Sequence, residues 1–117
     1  MKASNSIKKN AGFVNKFLKK ELKGDPKQLY DAASHLILHG GKRLRPFLVL
    51  KSCQMLGGRQ SDAMVAASAV EMIHNFTLVH DDIMDNDEMR HGVPTTHKKF
   101  DMSLAILAGD VLYSKAY

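Results

Sequence analysis

Apolar residues recur every three or four positions along almost the whole chain, which is the spacing of an amphipathic α-helix. The first apolar stripe lies within residues 7–18, and Gly24 is where we expect this helix to stop. Asp25 and Pro26 predict a second helix, with Asp25 as the N-cap and Pro26 at the first helical position. Its apolar face continues to the two glycines at 40–41.

Three more helices are predicted along the rest of the chain. Pro46 opens the third, which ends at the two glycines of residues 57–58. Ser61 or Asp62 caps a fourth and longer helix. Residues 86–97 predict a loop, and a fifth helix begins near residues 100–101. No segment shows the alternation typical of a strand, so the sequence predicts an all-α fold.

The predicted fifth helix has no stop signal. Its last residues, AGDVLYSKAY, contain no Gly, Asn or Pro near the end, and the apolar pattern is still running there. The apolar stripes of the other helices are wide. We therefore expect about five helices of a larger bundle, whose apolar faces need more partner surface than these helices supply.

Length and composition narrow the class of protein. With 117 residues, 44% of them hydrophobic, the chain is one domain or less. No apolar run approaches the roughly 20 residues of a membrane-spanning helix. The lysine-rich first 20 residues lack the apolar core of a signal peptide, so we expect a cytoplasmic protein. The single Cys53 excludes an internal disulfide, and its apolar helical setting predicts a buried, unreactive thiol.

Charge is divided between the two halves of the chain. Residues 1–60 hold 13 Lys/Arg against 3 Asp/Glu, and residues 61–117 hold 4 against 9. The early lysines are scattered around a helix with few aromatic neighbours, which disfavours a nucleic-acid partner. A basic half facing an acidic half instead suits a multiply charged anion held by cations and metal ions.

The acidic stretch LVHDDIMD lies late in the fourth predicted helix. Asp81 and Asp85 are one turn apart and share a face with His74. Two carboxylates so placed repel each other unless a cation sits between them, and Mg²⁺ is commonly bound by one or two carboxylates together with phosphate. The pair therefore predicts half of a magnesium–phosphate site, and a solvated acidic helix end is the alternative.

The segment GGKRLRP at 40–46 has the features of an anion-binding loop. Two glycines allow close backbone approach, and a helix N-terminus with free N–H groups follows at Pro46. Lys42 and Arg45 could both reach a phosphate, Arg45 as a fork and Lys42 as a point charge. Arg90 and His91 lie on a loop after the aspartates and could face an anion too. Solvated loop cations are the alternative.

Four segments together resemble the trans-isoprenyl diphosphate synthases of the polyprenyl synthetase family, in the same order and at the same spacings. They are GGKRLRP, EMIHNFTLVHDDIMDND, RHGVPTTH and LAGDVLYSKAY, and the resemblance covers essentially the whole chain. It implies an all-α helical bundle of the isoprenoid synthase type, of which residues 1–117 would form an N-terminal part.

The resemblance also implies the site residues. Asp81 and Asp85 would ligate Mg²⁺ and Asp82 would support them, while Arg90 would clamp the diphosphate of an allylic substrate. The residues implied to hold isopentenyl diphosphate are Lys42, Arg45, His74 and His91. The implied reaction ionises the allylic diphosphate, adds isopentenyl diphosphate to the carbocation, and ends with loss of a proton.

Two features depart from the family. The family usually has two arginines where this chain has Arg90 and His91, and a partly protonated histidine would bind isopentenyl diphosphate more weakly. A second Asp-rich motif, which would complete a set of up to three Mg²⁺ ions, is absent. We therefore expect activity only with a complementary C-terminal chain or a missing C-terminal half, in a homo- or hetero-oligomer.

Product length is implied by the residues just before the aspartates. Phe76 lies five residues before Asp81, about 7.5 Å along a helix, and in the family an aromatic there blocks the growing tail. The next residue is Thr77 rather than a second aromatic. This pattern resembles the archaeal type of geranylgeranyl diphosphate synthase, and a Phe76 that is simply core is the alternative.

Three other classes of protein remain open. Glu71 and His74 form an E-x-x-H pair as in di-iron bundles, but the chain has too few glutamates for such a site. His80 and Asp81 would suit an HD-type phosphohydrolase, which leaves GGKRLRP unexplained. A subunit that binds diphosphate or a partner helix without turnover is the third. The other histidines (His35, His39 and His97) are predicted to pack, cap or order a loop.

Overall fold

The computed structural model describes residues 2–117, with side chains described from residue 4. Within that range there are six helices and one two-stranded antiparallel ribbon, so the predicted all-α class is confirmed. The elements are α1 (Lys2–Glu21), α2 (Lys27–His35), α3 (Leu44–Met55), α4 (Gln60–Met84), β1 (Met89–Arg90), β2 (Val93–Pro94), α5 (Thr96–Lys99) and α6 (Met102–Ala116).

The helix starts differ from the predicted caps. Pro26 has extended backbone angles (φ −69°, ψ 143°), so it is itself the N-cap of α2, and the prediction of Asp25 is wrong. Helix α3 begins at Leu44, which places Pro46 third in the helix. The missing N–H costs nothing there, because first-turn N–H groups have no acceptor within the helix.

The fourth helix begins at Gln60 with Arg59 as its N-cap, two or three residues before the predicted cap. The prediction was better for α6, where the Asp101 carboxylate accepts a hydrogen bond of 2.7 Å from the Leu104 N–H. The side-chain oxygen there satisfies one of the unpaired donors of the first turn, which is why aspartate is favoured as an N-cap.

The predicted loop 86–97 contains the β1–β2 ribbon and the start of α5. His91 and Gly92 connect the two strands, and both have positive φ angles (54° and 77°). A two-residue turn with both φ angles positive matches the natural twist of paired strands. Strands of two residues are too short to show an alternating pattern, so the sequence could not reveal them.

The long helix α4 is the centre of the fold, packed against α3 on one side and α6 on another. Helix α2 covers α6, and the core between the helices is mainly aliphatic. Its largest fully buried apolar side chains are Leu18, Leu36, Ile37, Leu50, Leu112, Val14 and Val79.

Cys53 is only half-buried, with its thiol 3.6 Å from the Arg59 carbonyl oxygen, so the predicted full burial is wrong.

Many large apolar side chains remain exposed on the outer faces of α3, α4 and α6. Among them are Leu48 on α3, Val65 on α4 and Leu107 on α6, which are 62%, 64% and 52% exposed. No helix in the described range is both long enough and apolar enough to cross a membrane. The outer faces of α3, α4 and α6 thus present apolar side chains to solvent.

Candidate functional site

A pocket of about 220 Å³ lies between α4 and the segment 40–45 that leads into α3. All four residues predicted to hold one diphosphate line it. They are Lys42 and Arg45 from the segment, His74 from α4, and His91 from the β1–β2 turn. Positions up to 49 residues apart in the chain thus converge on one cavity. Apart from a glutamate paired with a buried arginine, its charged side chains are basic, as an anion site requires.

Arg45 and His74 contact each other at the edge of this pocket. The Nη1 of Arg45 lies 3.3 Å from the Nε2 of His74, which can accept its hydrogen bond when the ring is neutral. Burial lowers the pKa of His74, and the nearby charge of Arg45 lowers it further. His74 is thereby favoured in its neutral form, leaving the positive charge of the pocket to Lys42 and Arg45.

The glycines of this segment have distinct steric roles. A Cβ on Gly40 would lie 2.7 Å from the Cβ and Cγ of His91, so only glycine lets the ribbon turn pack on the segment. Gly41 has φ 97°, a left-handed conformation that L side chains rarely adopt. The close approach at Gly40 explains how His91, 51 residues further along the chain, becomes part of the same pocket.

Arg43 is the residue of this segment that the sequence did not single out. Its neighbours Lys42 and Arg45 are exposed, but Arg43 is only 3% exposed. It donates from Nη1 to Oε1 of Glu71 at 3.3 Å, and burial lowers its pKa although pairing with Glu71 opposes the shift. The available signal was Glu71 itself, which lies among the apolar and small residues of α4, since buried carboxylates need a partner.

The three aspartates of DDIMD differ sharply in exposure. Asp81 and Asp85 are exposed and one turn apart, Asp81 in the last turn of α4 and Asp85 at its C-cap, while the Asp82 side chain is 1% exposed. Asp82 is bound by Arg90, whose Nε and Nη2 donate to its two oxygens at 2.8–3.0 Å. Asp82 therefore holds Arg90 in place, and Asp81 and Asp85 are left as the accessible carboxylates.

Arg90 keeps hydrogen-bonding capacity beyond this pair. Its bonds to Asp82 use Nε and Nη2, and within the described residues no side chain accepts from Nη1. The hydrogen bonds with Asp82 raise the pKa of Arg90, and the charge of Asp82 acts in the same direction. A permanently charged guanidinium with a fixed plane and a spare donor can bind an anion.

The aspartates fit a magnesium site only in part. Across the described range there is no cluster of three or more His, Cys, Asp or Glu side chains able to hold a metal ion. Asp81 and Asp85 nevertheless offer two exposed oxygen ligands, with Cβ atoms roughly 5–6 Å apart for helix neighbours of this spacing. Mg²⁺ is commonly held by one or two carboxylates with water and phosphate. The two aspartates therefore supply the carboxylate part of such a site and not a complete set of ligands.

The structure does not bring the predicted chain-length residues into the basic pocket. Phe76 is half-buried between α4 and α6, with its ring centre 4.6 Å from that of His80 and 5.3 Å from that of Tyr113. Thr77 is exposed and donates to the His74 carbonyl oxygen at 2.6 Å. His80 packs on α6, with Nε2 3.9 Å from a carboxylate oxygen of Asp110.

Comparison with known proteins identifies the fold and the family. The profile of the Polyprenyl synthetase family matches residues 26–117. The geranylgeranyl pyrophosphate synthase of Geoglobus acetivorans is 52% identical over 115 residues, which is 97% of this chain and 36% of that protein. The geranylgeranyl diphosphate synthase of Sulfolobus acidocaldarius is 50% identical over 104 residues, 89% of this chain and 32% of the relative.

The solved structures that resemble this chain come from proteins of the same kind as these relatives. The Geoglobus acetivorans enzyme superposes with a TM-score of 0.90 at 53% identity, covering 94% of this chain and 36% of the other. The geranylgeranyl pyrophosphate synthetase of Pyrococcus horikoshii gives 0.91 at 48% identity, covering 97% and 35%. The chain thus spans about a third of the length of these relatives, and it belongs to the polyprenyl synthetase family.

Proposed function

We propose that this chain supplies the first metal and diphosphate-binding part of a chain-elongating prenyltransferase. The reaction condenses isopentenyl diphosphate with an allylic diphosphate to give a product of geranylgeranyl length. The observation that carries the proposal is the arrangement on α4 and its neighbours. A basic pocket formed by Lys42, Arg45, His74 and His91 lies beside α4, and the exposed pair Asp81 and Asp85 follows at the C-terminal end of that helix.

Each group of residues has a distinct part in this proposal. Lys42 and Arg45 bind the diphosphate of isopentenyl diphosphate, with His74 and His91 at the pocket wall. Arg90 binds the allylic diphosphate with the donor that Asp82 leaves free. Mg²⁺, held by Asp81 and Asp85, would supply charge stabilisation for the departing diphosphate.

Product length is assigned to the α4–α6 contact. Phe76 lies on this seam about 7.5 Å along α4 from Asp81, packed against Tyr113. We assign it to the floor of the cavity that receives the growing chain, with Thr77 leaving room on the next position. The relatives named as geranylgeranyl synthases support a product of that length.

We further propose that turnover needs a complementary helical segment. Two carboxylates provide only part of a magnesium site that serves two diphosphates, and the exposed apolar side chains of α3, α4 and α6 offer a surface for further helices. A relative from Arabidopsis thaliana, 50% identical over 95 residues, is named as the large subunit of a heterodimeric geranylgeranyl pyrophosphate synthase. Either a second chain or a further segment of this one would supply the missing ligands.

The single, unpaired Cys53 suits a reducing, cytoplasmic compartment.

Binding of a bisphosphonate tests the metal role directly. We expect Mg²⁺-dependent binding by the native chain, measured by calorimetry, and loss of that binding in Asp81→Ala. Asp25→Ala is the matched control, because it removes an exposed carboxylate from the α1–α2 connection. Binding that is unchanged in Asp81→Ala would exclude the metal role of these aspartates.

A prenyl-transfer assay separates catalysis from simple binding. A non-catalytic subunit that binds diphosphate is the second candidate, favoured by the lack of a three-ligand metal cluster among the described residues. Labelled isopentenyl diphosphate is incubated with an allylic diphosphate and the chain, alone and with any protein that co-purifies. Incorporation into a longer prenyl diphosphate supports the enzyme, and binding without incorporation in both samples supports the subunit.

A further inference from the structure

Arg43 lies between two proposed ligand residues, but its side chain is buried at the base of the same pocket. Lys42 and Arg45 are exposed at the pocket, and Arg43 is only 3% exposed. Its backbone is left-handed (φ 57°, ψ 37°) at the N-cap of α3, a conformation that is uncommon for a residue with a side chain. The left-handed residue turns the chain so that consecutive cations in GGKRLR separate into buried and exposed ones.

The guanidinium of Arg43 joins three separate parts of the fold. Nε donates to Oδ1 of Asn15 on α1 at 2.7 Å, and Nη2 donates to the Ile37 carbonyl oxygen after α2. Nη1 donates to Oε1 of Glu71 on α4 at 3.3 Å, and that oxygen also accepts from Asn75 at 3.1 Å. One side chain thereby links α1, the end of α2 and α4.

The link to α4 sets the position of the pocket residues. Glu71 and His74 are three residues apart on the same helix face, and they contact Arg43 and Arg45 respectively. The segment is therefore fixed to α4 at two points, one buried and one at the pocket edge. A Cβ on Gly41 would lie 3.0 Å from Nη1 of Arg43, so the backbone also packs closely on this guanidinium.

We propose that Arg43 is a positioning residue for the diphosphate pocket. Its buried bonds to Glu71, Asn15 and Ile37 hold the segment 40–45 on α4, so that Lys42 and Arg45 converge on one anion. Arg43 does not contact the diphosphate, because its guanidinium is engaged within the core. The inference rests on the proposed function, since it assigns a diphosphate to this pocket.

Three variants test the role of Arg43 in the full chain. Arg43→Lys keeps the charge but loses the fork, and Glu71→Gln removes the ion pair with little change of shape. The double variant Arg43→Met/Glu71→Met replaces the buried pair by apolar groups, a change that often leaves folding stability intact. Arg59→Lys is the matched control, because Arg59 is an exposed arginine paired with Asp62 outside the pocket.

The measurements are the dissociation constant for isopentenyl diphosphate, by calorimetry, and helix content by circular dichroism. For all three variants we expect native helix content and a raised dissociation constant. The increase should be roughly tenfold for Arg43→Lys and the double variant, as is usual when a residue supporting a ligand site is lost. Arg59→Lys is expected to bind like the native chain. If Arg43 only stabilises the fold, the double variant should bind isopentenyl diphosphate as tightly as the native chain, because its folding stability is kept.

Each contrary result has a separate meaning. A native dissociation constant in the double variant overturns the role of Arg43 while leaving the diphosphate pocket intact. Loss of helix content in all three variants assigns Arg43 to folding of the whole chain and also overturns the proposal. Absence of binding by the native chain overturns the proposed function of the pocket itself.

Discussion

Removing Arg90 should destabilise the chain strongly, because it leaves the buried carboxylate of Asp82 without its ion-pair partner. In the variant Arg90→Met, Asp82 keeps its 1% exposed side chain and loses three contacts of 2.8–3.0 Å. Within the described part of the chain no other side chain donates a hydrogen bond to this carboxylate. Breaking a buried ion pair from one side typically costs 3–5 kcal/mol. Arg90 is 27% exposed, so solvent reaches the site and we expect a loss of about 3 kcal/mol, the low end of that range.

The matched variant Asp82→Asn should be milder. It leaves Arg90 charged, but this side chain is partly exposed and can be solvated, whereas the amide of asparagine can still accept a hydrogen bond. We expect a loss of roughly 1 kcal/mol, the usual value of one hydrogen bond. The order of the two variants follows from which partner is buried, not from the number of bonds removed.

The assay is urea unfolding followed by circular dichroism, with a thermal scan in parallel. For 117 residues the unfolding entropy is about 0.25 kcal/mol per kelvin, so a loss of about 3 kcal/mol lowers Tm by roughly 12 °C. The reasoning is refuted if Arg90→Met loses less than about 1 kcal/mol, the scale of an exposed ion pair. It is equally refuted if Asp82→Asn proves the more damaging change.

Two further predictions concern pH and packing. Burial lowers the pKa of His35 below its ordinary value of 6.5. Below that pH the unfolded chain therefore binds more protons than the folded chain. The stabilising contribution of the neutral ring is complete above pH 6.5 and is lost as the pH falls through the lowered pKa. His35→Gln should flatten this decline in urea midpoints between about pH 5 and 7, and an unchanged slope would contradict it. Gly12→Ala, with open space around its Cβ in α1, should stabilise the chain by about 0.5–1 kcal/mol. Gly109→Ala should destabilise it by roughly 1–3 kcal/mol, because its Cβ would lie 2.5 Å from Nε2 of His80; urea midpoints that move in the same direction for both variants would refute this.

Most of the helices could be predicted because each carries its own apolar stripe. The apolar stripe predicted within residues 7–18 contains Val14 and Leu18, and both side chains are fully buried. The helix start predicted near residues 100–101 is confirmed for the same local reason, since the Asp101 cap found there depends on a few neighbouring residues. The helix starts after Pro26 and Gly58 differ from the predictions by one to three residues, because backbone angles there follow from the chain's path and not from residue preference.

The sequence by itself determined the helical class, the segments that carry charge, and the one-turn spacing of Asp81 and Asp85, because these depend on residues close in the chain. Only the tertiary structure decided which charges are available. It buried Arg43 against Glu71 and Asp82 against Arg90, leaving Lys42 and Arg45 exposed at the pocket. Burial depends on contacts between helices far apart in sequence. Residues of the same type in one motif can therefore bind a ligand or hold the fold, and the packing around each decides which.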